Sequence, residues 1–242
     1  MDLLAVTLVH GRAPALKAFG ENMRRVGIPW VAAVTNTDLH GKMLCEEYAM
    51  DYIEAQNKPL GQKWNRAMDL AKLHGPSRVM LIGSDDLVND HWAQAARKFS
   101  SPGPIMVPRY YEVYDVQKKQ AMSVQFTKAP PFPIGISCMV LTEEAIDLAE
   151  WNPDVEKALD TDMLAKLVKQ HKLPCSWSHP VAMPAFIALK TGSNIWHMQH
   201  FKNWLKISAV DDMGRRYQAE EFEDLACDQS IIEALKNLSA MY

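Results

Sequence analysis

Between Arg78 and Val88 the chain reads RVMLIGSDDLV. Val79–Gly83 carries no side chain that water would solvate, which suits a strand covered on both faces, as in a parallel sheet. Two adjacent carboxylates, Asp85 and Asp86, follow at its C-terminal end. Open α/β sheets bind their ligands there. Carboxylates side by side repel, so a cation is expected beside them. A divalent metal carrying phosphate oxygens meets that demand. The other reading is that Ser84 and the two Asp cap a following helix or turn.

The rest of the chain bounds this expectation. Its 242 residues suit one large domain, or one with a small appendage. A net charge of −3 provides no global basic field for nucleic acid. Cys45, Cys138, Cys175 and Cys227 lie far apart and read as free thiols of a reducing compartment. Asp2 stands where a signal peptide is basic, and His10-Gly11-Arg12 cuts the first apolar run short, so Leu3–Val9 is expected as a strand. No apolar run reaches the roughly 18–20 residues of a membrane span. The expectation is a soluble, cytoplasmic protein.

Taken in order, Leu3–Val9 is followed by Pro14 in the first turn of a helix with the apolar face Leu16, Phe19, Met23 and Val26. Gly27 ends it, and Ile28–Thr35 is a second strand. This βαβ opening implies a parallel sheet with a right-handed crossover. A helix over Gly41–Ala49, a strand over Tyr52–Ala55 and a helix from Leu60 lead into the acidic strand. Beyond it, His91–Phe99 is expected as a helix and Ile105–Pro108 as a strand. Tyr110–Val116 and Met122–Phe126 form a hairpin, and Ile134–Leu141 a further strand with Gly135 leaving room for a ligand or backbone. Asp160–His171 is expected as a helix, and Glu220–Leu238 as one or two more.

This order of features resembles the GT-A fold, and within it the large inverting family of nucleotide-sugar-dependent glycosyltransferases. The likeness covers about residues 1–205 and rests on four short stretches. Gly61-Gln62-Lys63-Trp64-Asn65-Arg66-Ala67-Met68 resembles the family's G-x-x-x-N helix. Ile82-Gly83-Ser84-Asp85-Asp86 resembles its DxD strand end, with Gly83 in place of the leading Asp. Pro133–Val140 is similar to the acceptor-side strand. Asp160-Thr161-Asp162 resembles the acidic pair that opens the catalytic helix, here with Thr161 between the two Asp. The resemblance implies an α/β GT-A (Rossmann-like) domain with a mostly parallel sheet and a small antiparallel hairpin on the acceptor side. Residues 1–100 would bind the nucleotide-sugar, 101–205 the acceptor, and 206–242 would be a helical extension.

It also implies roles. Thr7, His10, Arg12, Asn36 and Asp38, with Lys63, Asn65, Ser84, Asp85 and Asp86, would surround the donor, a UDP-sugar by first choice. Asp85 and Asp86 would hold Mn²⁺ or Mg²⁺, which stabilises the departing diphosphate. Asp162 would take the acceptor's proton, with Asp160 as cap or acceptor ligand; alternatively both merely complement the helix dipole. Arg12, Lys63 and Arg66 face phosphate or are simply solvated. Tyr110, Tyr111, Tyr114, Trp196 and Trp204 are stacking walls or core. The acceptor is open: a small molecule, a glycan or a modified nucleic-acid base. Two rival functions stand beside this one. A nucleotidyltransferase uses a related sheet, but its Gly-rich first loop is reduced here to Gly11. A non-catalytic nucleotide-sugar or protein-binding module would not need both acidic pairs. Finally, Thr191–Phe201 is expected as a lid over the nucleotide, with His197 or His200, three apart on one helix face, completing the metal's ligands.

Overall fold

The computed structural model describes residues 1–99, 103–130, 132–178, 183–191, 215–220, 222, 225 and 227–241. The opening follows the sequence pattern. Strand β1 (Leu4–Val9) is succeeded by helix α1 (Ala13–Val26), strand β2 (Trp30–Thr35), helix α2 (Leu39–Tyr48) and strand β3 (Asp51–Ala55). Pro14 sits in the first turn of α1, and Gly27 ends it in the left-handed region at φ 67, its N–H capping Arg24 and Met23 carbonyls. Leu16, Phe19, Met23 and Val26 are buried, as their spacing requires. Every residue of β2 is buried, which marks it as a strand covered on both faces.

Helix α3 (Leu60–Leu73) then delivers the chain to β4 (Arg78–Leu81). A seven-stranded sheet results, in the order β10-β6-β9-β4-β1-β2-β3, with β6 (Ile105–Val107), β9 (Met139–Thr142) and β10 (Cys175–Trp177) on the far side of β4. Strands β1 to β4 pair in parallel, and β9 runs antiparallel to both β4 and β6. The architecture is thus a mostly parallel sheet flanked by helices.

Here the first expectation is corrected. The acidic pair does not simply end a strand. The chain leaves the sheet at Leu81, and the Asp86 N–H closes a turn on the Gly83 carbonyl at 3.1 Å. Asp86 then opens β5 (Asp86–Val88), which belongs to a second sheet ordered β12-β8-β7-β11-β5. That sheet contains the expected hairpin, β7 (Tyr110–Asp115) and β8 (Gln120–Phe126), paired Tyr110 with Gln125 through Asp115 with Gln120. It adds two strands that the sequence reading did not assign, β11 (Phe186–Lys190) and β12 (Arg215–Glu220). Asp85 and Asp86 therefore stand where the chain crosses from one sheet to the other.

The remaining elements complete the packing. Helix α4 (Asp90–Lys98) follows β5, and α5 (Glu143–Leu148) follows β9. Only the last residues of the stretch Ile134–Leu141 are strand; residues 134–138 are irregular, and Cys138 takes a left-handed φ of 63. The helix expected from Asp160 is α6 (Leu159–Ala165) continued by a π-helical turn, Lys166–Gln170. The C-terminal helix α7 (Gln229–Met241) buries Ile231, Leu235 and Leu238 against Leu87, Tyr114, Ile187 and Leu189. It is thus packed onto the second sheet. No described helix is long and apolar enough to cross a membrane.

Candidate active site

The loop after β1 is shaped by two consecutive left-handed residues, Gly11 at φ 63 and Arg12 at φ 57. Glycine adopts that conformation freely, whereas arginine does so at a cost that its contacts must offset. The Arg12 guanidinium reaches Asp85, Nη1 to Oδ2 at 2.5 Å. Asp38, at the start of α2, fixes the same loop from the other side. Its Oδ2 accepts the Gly11 N–H at 2.6 Å, and its Oδ1 accepts the Gly41 N–H at 2.9 Å. Asp38 thus caps a helix and shapes the β1 loop at once. His10 and Asn36 are exposed at the neighbouring strand ends. Burial and the Lys63 ammonium lower the His10 pKa.

Lys63 occupies an unexpected place. It is 1% exposed, beneath the ends of β1 and β2. Its Nζ donates to the Val9 carbonyl at 2.7 Å, to Thr35 Oγ1 at 2.8 Å and to Asn57 Oδ1 at 3.4 Å. It therefore ties α3 to the strand ends and does not line the cleft as a phosphate ligand. Burial lowers its pKa to about 8, with Asp38 pulling the other way. Between that value and the roughly 10.4 of an unfolded lysine, the unfolded chain binds more protons, so stability rises with pH across this window. Lys63→Met leaves Asn57 and Thr35 without their donor and is expected to cost about 2 kcal/mol at neutral pH. The difference in melting temperature between wild type and Lys63→Met should widen in favour of wild type from pH 8 to 10; a constant difference would mean the ammonium carries no burial penalty. Asn65 is likewise structural, bonded through Nδ2 to the Trp151 carbonyl at 2.9 Å and through Oδ1 to the Trp151 N–H at 2.8 Å. Trp64 stacks on Trp151 beside it, centroids 5.2 Å apart.

Asp86 is buried. Its Oδ2 accepts hydrogen bonds from Ser137 Oγ and from the Gly83 N–H. Burial first, and the Asp85 charge second, push its pKa up; Lys190, Ser137 and Gly83 oppose them. Ser84 is buried as well, and the Thr7 hydroxyl is buried without a hydrogen-bond partner among the described residues.

The second acidic pair is linked to this turn through the segment Gly135–Ser137. Gly135, two residues before Ser137, presses on Asp160 so tightly that a Cβ there would stand 2.3 Å from the Asp160 Cβ. Its N–H donates to Thr161 Oγ1 at 3.2 Å. Two residues span at most about 7 Å, so the segment that touches Asp86 at Ser137 touches Asp160 at Gly135. The two aspartates differ. Asp162 Oδ2 accepts the Asn152 N–H at 3.2 Å and lies 3.5 Å from Lys166 Nζ. Asp160 makes no ion pair among the described residues, and burial raises its pKa to about 6.

Asp85 and Asp86 are hard oxygen donors, and the raised pKa of Asp86 is what a neighbouring cation would reverse. They fit a divalent ion of the Mg²⁺ or Mn²⁺ kind, which commonly takes one or two carboxylates and fills its other positions from phosphate and water. No third His, Cys, Asp or Glu joins them among the described residues. His197 and His200 lie outside the described residues, with Trp196, Trp204 and the body of the expected lid. Of the tyrosines, Tyr114 is core, its hydroxyl 2.9 Å from Ser239 Oγ; Tyr111 stacks on Phe186. Two site residues escaped the sequence reading: Ser137, a bare serine in an apolar run, and Lys190, discussed below.

No family model and no curated protein matches the chain. Solved structures do. TarS of S. aureus (1–349), a GT-A-type glycosyltransferase, aligns with a TM-score of 0.52 at 10% identity, over 78% of this chain and 60% of that one. Its complex with UDP-GlcNAc aligns with a TM-score of 0.50 at 12% identity, over 98% and 71%. The inositol-1-phosphate CTP transferase of T. maritima gives 0.47 at 12% identity, over 98% and 96%. This chain spans about 60% of the length of the first of these. At such identities the likeness is one of fold. With its mostly parallel sheet and the second sheet entered at the acidic turn, the chain has a GT-A-like fold.

Proposed function

We propose that this protein transfers a sugar from a nucleoside-diphosphate sugar to an acceptor hydroxyl, with inversion, and that Asp160 is the general base. One observation carries the reading: the acidic turn at the sheet crossing and Asp160, an aspartate of raised pKa with no ion pair among the described residues, are bridged by the single segment Gly135–Ser137. That arrangement suits a donor diphosphate on one side of a short strand end and an acceptor on the other. The fold likeness to TarS, known in complex with UDP-GlcNAc, favours a UDP-sugar as donor.

The chemistry follows from the residues. Arg12 and the backbone of the acidic turn face the donor's phosphates. Asp85 and Asp86 would hold a divalent cation, which when bound supplies Lewis-acid stabilisation of the charge developing on the departing diphosphate. Asp160, ionised above about pH 6, accepts the proton of the acceptor hydroxyl as its oxygen attacks the anomeric carbon. Gly135, lacking a Cβ, lets the segment before β9 pack directly against Asp160 at the start of α6. Asp162, held by Lys166 and the Asn152 N–H, steadies the start of α6.

Incubation with labelled UDP-sugars, Mn²⁺ and a panel of hydroxyl acceptors tests this. Release of UDP with labelled acceptor is the expected result. In a parallel incubation with UTP and sugar phosphates, release of pyrophosphate would instead identify a nucleotidyltransferase, and binding without either product a non-catalytic module.

A further inference from the structure

Strand β11 brings a lysine to the acidic turn. Ala188 pairs directly with Asp86 in antiparallel register, and the Leu189 N–H donates to the Asp85 carbonyl at 2.9 Å. Residues opposite one another in an antiparallel pair share a face, as do residues two apart on one strand. Lys190 therefore stands on the same face as Asp86, its diagonal neighbour at about 7–8 Å between backbones. Among the described residues its ammonium forms no ion pair. Arg12 approaches the same turn from the end of β1, and its partner is Asp85.

We propose that Lys190 and Arg12 together seat the diphosphate of a nucleoside diphosphate, one cation from each sheet, in competition with Asp85 and Asp86. This deepens, and rests on, the nucleotide-sugar reading. Arg12 and Lys190 stand at this turn with Asp85 and Asp86, and Asp115 pairs with Lys190 across β7. A diphosphate adds negative charge at this point, and it draws the cations toward itself as it binds. A planar guanidinium and a compact ammonium divide the task, the first able to bridge two phosphate oxygens, the second acting as a point charge. Placement on different sheets also ties ligand binding to the turn that joins them.

Calorimetric titration with UDP, inorganic pyrophosphate and uridine, all in EDTA, tests the seat. Lys190→Gln is expected to weaken UDP and pyrophosphate about tenfold, equal to about 1.4 kcal/mol, and to leave uridine unchanged. Lys190→Arg should restore most of the loss. Melting temperatures confirm that both variants fold; the β11 backbone bond from the Val116 N–H to the Lys190 carbonyl does not involve the side chain. Wild-type affinity in Lys190→Gln, or no binding of either ligand to the wild type in EDTA, would overturn the seat. UDP binding that appears only with Mn²⁺ would leave the nucleotide reading standing without it. Lys190-dependent binding of pyrophosphate without UDP would keep the seat and remove the nucleoside.

Discussion

Replacing Asp160 by Asn is expected to lower kcat about a thousandfold, within the range that positioned proton transfer contributes, and to leave UDP affinity unchanged. The carboxylate acts on the acceptor, so donor binding does not need it. In the wild type, kcat should rise with pH through about 6 and level off above it, because burial pushes the Asp160 pKa to about 6 and only the ionised form accepts a proton. A stability signature accompanies the loss. The folded pKa lies above the roughly 3.9 of an unfolded aspartate, so the folded protein binds the extra proton between those values. Stability therefore falls as pH rises from about 4 to 6, and the ionised carboxylate remains a cost at neutral pH. Removing that charge should make Asp160→Asn melt higher than wild type at pH 7.5. An inactive variant that is more stable than its parent is what a strained functional group leaves behind. Asp162→Asn is the control. Its carboxylate is committed to Lys166 and the Asn152 N–H, so the effect on kcat should be far smaller. The assignment fails if Asp160→Asn turns over at the wild-type rate, or if Asp162→Asn shows the larger loss.

How far the sequence reaches is clear from individual residues. The β1-α1-β2 opening is legible because Leu16, Phe19, Met23 and Val26 repeat with helical spacing between two apolar runs, and these residues are buried as that spacing requires. The hairpin over β7 and β8 is legible for the same kind of reason. What escapes is set by partners remote in the chain. Nothing local in Gly83–Asp86 says that the turn hands the chain to a second sheet; that depends on β11, a hundred residues on. Phe186–Lys190 did carry a signal, a five-residue run with apolar positions after Pro184, and Lys190 goes with it. Lys63 looks like any helix-surface lysine until Val9, Thr35 and Asn57 close around it. β12, Arg215–Glu220, is mostly polar, and among the described residues it is an edge strand paired with β8. Spacing alone favours Asp162 as the base; the proposal of Asp160 in its place rests on Lys166 and the Asn152 N–H, which hold the Asp162 carboxylate.

Asp85→Asn is expected to reduce turnover at saturating Mn²⁺ by at least about a hundredfold, since Lewis-acid stabilisation of the leaving charge is worth several kcal/mol, while UDP binding in EDTA becomes tighter. The two effects have opposite signs because Asp85 has two tasks. With a divalent ion it would be a ligand, and an amide oxygen without charge would be a poorer one. Without the ion it is the counter-charge of Arg12, at 2.5 Å. A phosphate that binds Arg12 must displace that carboxylate, and the neutral amide competes less. The fold should tolerate the change. The pair is partly solvent-exposed, so its contribution to stability is small, and Asn keeps an oxygen for the guanidinium. Removal of one of two adjacent carboxylates also relieves Asp86, whose pKa Asp85 helps to raise. The measurements are donor turnover against Mn²⁺ concentration and calorimetric UDP affinity with and without EDTA. Wild-type turnover in Asp85→Asn at saturating Mn²⁺ would remove Asp85 from the metal's ligands. Weaker UDP binding in EDTA would show that Asp85 holds Arg12 in place for the phosphate and does not compete for it.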